Sequence, residues 1–176
     1  MLDDFYSKVG TQVQPGWTVV DIGAAIGEFT VPAASRAGAR NVFAFEPNPR
    51  SFQLLKENLA ANDLQEVSTY PYAVWSADAQ LAVDPDPREP LQALISETSQ
   101  GQIVQALSLA TILSEIIKGP IDLLKSDSEG AEYAYLVEAS DQTLESVKRI
   151  VMEYHDLDES RNLKTLRARL TAADYQ

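Results

Sequence analysis

Short apolar runs, separated by stretches of helical periodicity, set the plan of this chain. Trp17-Thr18-Val19-Val20 reads as a buried strand, and residues 28–37 as the helix after it. A second run, Val42-Phe43-Ala44-Phe45, reads as a second strand. Residues 50–61 put Phe52, Leu55 and Leu59 on one stripe, and Pro49 suits the first turn of that helix. Residues 67–70 make a short third strand, with Tyr72-Ala73-Val74-Trp75 as a loop after it. Residues 79–83 fit an edge strand. Between Asp84 and Pro90 three prolines fall within six positions, so a surface loop is expected there. Residues 103–107 fit another strand. Ser108 is placed to cap a helix carrying Leu109, Ile112, Leu113 and Ile116, closed by Gly119-Pro120. Ile121-Asp122-Leu123-Leu124 is the fourth central strand, residues 131–139 a helix, and residues 147–152 the fifth central strand. Leu163, Leu166 and Leu170 give a last helix its stripe. The apolar runs are near-continuous rather than alternating. An α/β fold is expected, with a mostly parallel sheet and helices on both faces.

Composition narrows the class. A chain of 176 residues, 45% of them hydrophobic, is expected to form one domain, residues 1–176, with a real core. No apolar run approaches the roughly 20 residues of a membrane span, and no membrane partner is expected. The start, Met1-Leu2-Asp3-Asp4, lacks a basic n-region, so a cytoplasmic location is the simplest expectation. The absence of cysteine excludes disulfides, thiolate catalysis and cysteine-ligated zinc. A net charge of −12 at pH 7 repels nucleic acid over most of the surface. The one mild basic cluster, Arg161, Lys164, Arg167 and Arg169, reads as a solvated helix face.

In open parallel sheets ligands collect outside the carboxyl ends of the strands. Polar sequence concentrates at four such ends: Asp21, Glu46, Lys125-Ser126-Asp127-Ser128-Glu129-Gly130, and Glu153-Tyr154-His155-Asp156. After Asp21 the chain continues Ile22-Gly23-Ala24-Ala25-Ile26-Gly27. Gly23 allows a tight turn and close backbone approach, and Gly27 close packing of the helix against the sheet. Alone, the two glycines also fit a plain strand-to-helix turn. With Glu46 able to accept both ribose hydroxyls, they fit a nucleoside site. The G-x-x-x-G spacing, rather than G-x-G-x-x-G, favours a nucleoside without a pyrophosphate: S-adenosylmethionine before NAD. His155 is the only histidine. A structural role, a general base, and a metal ligand beside Asp127, Glu129 or Glu153 are all open to it.

At these residues the chain resembles the FkbM family of S-adenosylmethionine-dependent methyltransferases. Five ordered segments carry the resemblance: residues 20–27; 43–49; 54–62; Ile121 through Lys125-Ser126-Asp127-Ser128-Glu129-Gly130-Ala131-Glu132; and Glu153-Tyr154-His155. The Lys-x-Asp-x-Glu-Gly-Ala-Glu pattern is the specific one. The resemblance implies a Rossmann-like class I methyltransferase fold and, typically, methylation of a hydroxyl on a sugar or other small metabolite. By position, Asp21, Gly23 and Gly27 would line the methionine end of the cofactor. Glu46 would hold the ribose with Asn48 nearby, and Ala73 would sit near the adenine. Asp127, Glu129 and His155 would face the methyl acceptor, with His155 the first choice of base and Asp127 the second. A divalent ion on Asp127 and Glu129 is an alternative activator, though no metal motif indicates one.

Three departures from the family pattern stand out. Ala25 replaces a usual Asn, and Ser126 and Ser128 replace apolar residues. The family sheet closes with two further strands. Here the sheet is expected to lack that last antiparallel pair, with a truncated product or cover from a partner, such as a homodimer, as the two explanations. The competing readings are a non-catalytic module on the same fold, an NAD enzyme, and a nucleic-acid methyltransferase.

Overall fold

Strands whose side chains are dry on both faces form the middle of the sheet. A computed structural model describes residues 12–85, 93–96 and 101–175. In it β1 (Val19–Ile22) and β8 (Leu123–Ser126) are buried at every position. Between and around them come β2 (Val42–Phe45), β3 (Ser68–Tyr70) and β9 (Ile150–Met152). The order is β3-β2-β1-β8-β9, and every pairing is parallel. Consecutive residues of the central strands feed opposite cores: Val19 and Leu123 pack on one face, Val20 and Leu124 on the other. That two-sided burial is why these segments read as unbroken apolar runs.

Helices α1 (Thr30–Ala37) and α2 (Pro49–Ala61) cover the first face through Ala33, Ala34, Leu55 and Leu59. Asn48 caps α2: its side chain accepts from the backbone N–H groups of Arg50 at 3.0 Å and Ser51 at 3.4 Å. The other face is covered by α3 (Leu109–Thr111), which continues as a π-helical stretch, Ile112–Ile117. A second π-helical turn (Tyr133–Val137), α4 (Asp141–Glu145) and α5 (Leu163–Ala172) complete that side. Ser108 caps α3 as expected, its hydroxyl accepting from Thr111 N–H at 3.1 Å.

The rest of the sequence reading needs correction at several points. Tyr72-Ala73-Val74-Trp75 is not all loop: β4 (Ala73–Trp75) pairs in parallel with β7 (Gln102–Ser108). These strands belong to a second, four-stranded sheet, separate from the first. The expected edge strand is interior to it: β5 (Ala79–Pro85) lies between β7 and β6 (Ala93–Ser96). The expected loop from Asp84 therefore begins later, because β5 runs through Pro85. Pairing with β7 stops at Val83, so Pro85 faces only β6, where its missing N–H is tolerated. Residues 86–90 of that expectation lie outside the described residues. The fourth central strand is shifted to Leu123–Ser126, and Ile121 makes only an isolated bridge to Val147. The fifth begins at Ile150, and the helix expected over 131–139 shortens to Tyr133–Val137. Among the described residues no strand follows β9.

Candidate active site

The chain runs β1, β2, β3 to one side of the sheet, then crosses to β8 and β9 on the other. The gap between β1 and β8 is the topological switch point, the position where open α/β sheets bind ligands. A cleft opens there. The β1 end contributes Ile22, Gly23, Ala25 and Glu28, and the β2 end Phe45, Glu46 and Pro47. Tyr72, Ala73 and Val74 form a third wall, and Asp127, Ser128 and Glu129 the fourth. Of the residues singled out in the sequence, Gly23, Glu46, Ala73, Asp127 and Glu129 line this cleft. Asp21, Gly27, Asn48 and His155 stand behind it.

Each of those four has a definite contact. Asp21 is fully buried, and its Oδ2 accepts from the Thr30 hydroxyl at 2.5 Å. Its Oδ1 lies 3.2 Å from the Lys125 ammonium but has no aligned hydrogen bond among the described residues, so the contact is an ion pair. Gly27, at φ +96°, makes room for the Leu55 methyl of α2, which a Cβ would approach to 2.8 Å. The close packing it permits is thus against a helix, not against the sheet. Asn48 caps α2 and donates its N–H to Glu46 Oε1 at 2.7 Å. His155 lies behind Glu129, its Nε2 3.4 Å from Glu129 Oε2.

Lys125, the first residue of the Lys-x-Asp-x-Glu pattern, is a further residue of the site. It is buried, donates to the Gly23 carbonyl at 2.7 Å and lies 3.6 Å from Asp127 Oδ2. It ties the β1 turn to the β8 loop. A lysine inside an apolar strand run was the signal available for it. Gly23 explains why those segments can meet: at φ +72°, its missing Cβ would fall 1.6 Å from the Asp127 carbonyl oxygen.

The serine departures are also accounted for. Ser126 and Ser128 both bond the Tyr135 hydroxyl, at 2.7 and 2.9 Å, and Ser128 donates to Glu132 at 3.2 Å. They replace apolar packing with one closed polar network. Burial pushes the Tyr135 phenol up, so it stays neutral.

Charge in the site is set by burial and pairing. Glu46 Oε2 accepts from Ala25 N–H at 2.8 Å and Oε1 from Asn48 N–H at 2.7 Å. Burial outweighs those bonds and pushes its carboxyl up to about 7. Burial likewise raises Glu129. His155 is raised to about 9, first by its hydrogen bond to Glu132, against the opposing effect of burial, with Glu129 and Asp127 adding to it. The ring is therefore a cation at neutral pH. Oxygen or nitrogen atoms of Asp127, Glu129 and His155 lie within 4.8 Å of one another, a spacing a metal could use. In this arrangement the imidazolium offsets part of that negative charge.

The donor set suits a nucleoside sulfonium. Both Glu46 oxygens keep acceptor capacity for a ribose diol beyond their backbone donors. Phe45, Tyr72, Ala73 and Val74 offer an apolar wall for a base. Glu28, Asp127 and Glu129 offer negative charge to a cationic group. Ala25, the departure inside the turn, holds φ +47° and gives its N–H to Glu46. Asn visits that left-handed region more readily than Ala, so the substitution removes a side chain but not the backbone donor.

Fold and cleft together define the class. Precorrin-6y C5,15-methyltransferase from Geobacter metallireducens superposes with a TM-score of 0.57 at 18% identity, over 97% of this chain and 69% of that one. The chain has a class I methyltransferase fold. Within that class, the model of the methyltransferase FkbM domain matches residues 21–176, and the chain belongs to the FkbM methyltransferase family. Membership and fold imply S-adenosylmethionine as methyl donor. The AMB antimetabolite synthetase AmbE of Pseudomonas aeruginosa is 29% identical over 88% of this chain, which spans 9% of that protein. The 31-O-demethyl-FK506 methyltransferase FkbM of Streptomyces tacrolimicus is 25% identical over 89% of this chain and 72% of its own length. No helix among the described residues is long and apolar enough to cross a membrane.

The Glu46 shift has a signed consequence. Its folded carboxyl, at about 7, lies above the ordinary 4.5 of the unfolded chain. Between those values the folded state holds the extra proton. Glu46 therefore favours the fold most in acid, and that contribution is lost as pH rises through about 7. Ribose hydroxyls donate to the ionised form, so binding runs the other way. Affinity for S-adenosylhomocysteine should rise about tenfold from pH 6 to pH 8, with proton release, and Glu46→Gln should flatten the rise. Calorimetry at the two pH values checks this, and an affinity that does not change with pH contradicts it.

Proposed function

We propose that this protein transfers a methyl group from S-adenosylmethionine to a hydroxyl oxygen of a small acceptor, a sugar or another small metabolite. The observation that carries the reading is the meeting of two sets of residues at one switch point. The Gly23 turn and Glu46 suit the cofactor, and Asp127, Glu129 and His155 adjoin them. The FkbM relative, named for a 31-O-demethyl substrate, supports oxygen as the acceptor atom. The net charge of −12 favours a small molecule over nucleic acid.

S-adenosylmethionine, held by the Gly23 turn and Glu46, would supply an electrophilic methyl to the acceptor oxygen, with the thioether as leaving group taking the C–S pair. The protein must hold oxygen and methyl in line and take the hydroxyl proton. His155 carries its own proton at neutral pH and enters as a cation, fixing the charge around Glu129. Asp127, on the cleft wall, takes the hydroxyl proton. Asp127→Asn should therefore slow turnover by about 10²-fold or more with S-adenosylhomocysteine binding near normal. Equal loss of binding and turnover counts against this role.

A cofactor-binding module without catalysis is the second reading, favoured by the resting imidazolium at His155. Incubation with methyl-labelled S-adenosylmethionine and a panel of hydroxylated small molecules decides between them. Label recovered on oxygen supports the transferase. Cofactor binding with no transfer to any hydroxyl supports the module.

A further inference from the structure

Glu132 holds together the loop after β8 and the loop after β9. It follows the site loop, is fully buried, and uses both carboxylate oxygens. Oε1 accepts from the His155 backbone N–H at 2.9 Å and faces the ring Nδ1 at 3.2 Å. Oε2 accepts from Gly130 N–H at 2.9 Å and from the Ser128 hydroxyl at 3.2 Å. A single carboxylate thus grips the loop after β8 and the loop after β9. With Nδ1 held from behind, the ring presents Nε2 to Glu129, 3.4 Å away. Tyr133 secures the same segment from the next residue, its hydroxyl donating to the His155 carbonyl at 2.9 Å.

We propose that Glu132 is a positioning residue: it holds a proton on His155 Nδ1 and fixes the ring so that Nε2 faces Glu129 at the cleft wall. The proposal rests on the methyl-transfer reading for its meaning, but not for its test. Glu132 itself does not line the cleft. It sets a ring that contacts Glu129, which does. Buried carboxylates behind a histidine commonly act this way, by selecting which nitrogen carries the proton.

The ring's charge follows from the same contacts. Glu132 on the π-helical turn faces Nδ1, while Glu129 and Asp127 from the β8 loop surround Nε2. Glu153 and Asp156, on the ring's own loop, act on its neighbours Glu129 and Tyr133. Burial would drive Glu132 toward the neutral acid. Its hydrogen bonds, chiefly those from His155, outweigh that and hold it below the ordinary carboxylate range. The two groups thus form an ion pair, with Glu132 buried and His155 partly exposed.

Because His155 is the only histidine in the chain, its ring protons are the only imidazole signals in a proton NMR spectrum. Titration of the protein without cofactor or acceptor therefore reads this one group. The wild-type midpoint is expected near 9. Glu132→Gln keeps the shape but removes the charge, and the midpoint should fall by at least about one pH unit, the size of a lost adjacent charge. In nitrogen-correlated spectra, the neutral ring of the wild type above its midpoint should carry its proton on one nitrogen only. In Glu132→Gln the two tautomers should mix. An unchanged midpoint and a single tautomer in the folded variant overturn the proposal. If Glu132→Gln does not fold, Glu129→Gln serves instead: a small fall in midpoint is expected there. A fall to the ordinary value of 6.5 would show that Glu129, not Glu132, governs the ring.

Discussion

Gly23→Ala is expected to destabilise the protein by about 3 kcal/mol or more and to abolish S-adenosylhomocysteine binding. Two costs add. The residue sits at φ +72°, where a side chain is strained by about 1–2 kcal/mol. Its Cβ would also fall 1.6 Å from the Asp127 carbonyl oxygen and 2.7 Å from the carbonyl carbon. Both are backbone atoms, so no rotamer change relieves the collision. Either the β1 turn or the β8 loop must move, and Lys125 ties the two together through the Gly23 carbonyl. Three kcal/mol corresponds to a fall in Tm of about 10 °C for a chain of this size, and it is a large part of a typical stability. Gly16 provides the control, since its φ is +79° but a Cβ there meets nothing within 4 Å. Gly16→Ala should cost only the conformational part, about 1 kcal/mol. Thermal denaturation of both variants separates strain from collision. Equal falls in Tm would show that the Asp127 backbone gives way freely.

Lys125→Met should cost about 3–5 kcal/mol, the range for breaking a buried pair from one side. The lysine serves the Asp21 carboxylate at 3.2 Å, the Gly23 carbonyl at 2.7 Å and Asp127 at 3.6 Å. Methionine fills the volume but leaves the Asp21 charge with the Thr30 hydroxyl alone. The penalty belongs to the stranded charge more than to the lost attraction. Neutralising Asp21 as well should therefore recover part of it. The double variant Asp21→Asn, Lys125→Met is expected to be more stable than Lys125→Met by at least about 1 kcal/mol. Denaturant unfolding of the two single variants and the double one measures this. Simple additivity would mean that Lys125 acts mainly through the Gly23 carbonyl and not through Asp21.

How much of this was legible in the sequence depends on how locally each feature is determined. The parallel sheet was, because β1 and β8 are buried throughout, β2 at all positions but Phe43, and their apolar runs are unbroken. The second sheet was not. Trp75 pairs with Ser108, far along the chain, and a strand of three residues carries no period of its own. Pro85 pointed toward a loop because its tolerance depends on where β7 stops pairing. The cleft walls were legible because ligands gather at strand ends, and Gly23, Glu46, Ala73, Asp127 and Glu129 all line the cleft. The charge of His155 was not. Its governing partner, Glu132, is 23 residues earlier on another element, and only folding brings them together. Asn48, expected near the ribose, also caps α2 with its side chain and bonds Glu46 through its N–H. The pattern of Asn before Pro at a helix start carried that signal.

The most direct test of the account is isothermal titration of the protein with S-adenosylhomocysteine, with Glu46→Gln and NAD alongside. The account predicts one binding site for S-adenosylhomocysteine, weakened in Glu46→Gln, and no binding of NAD. No heat from S-adenosylhomocysteine, or equal binding of NAD, would contradict it.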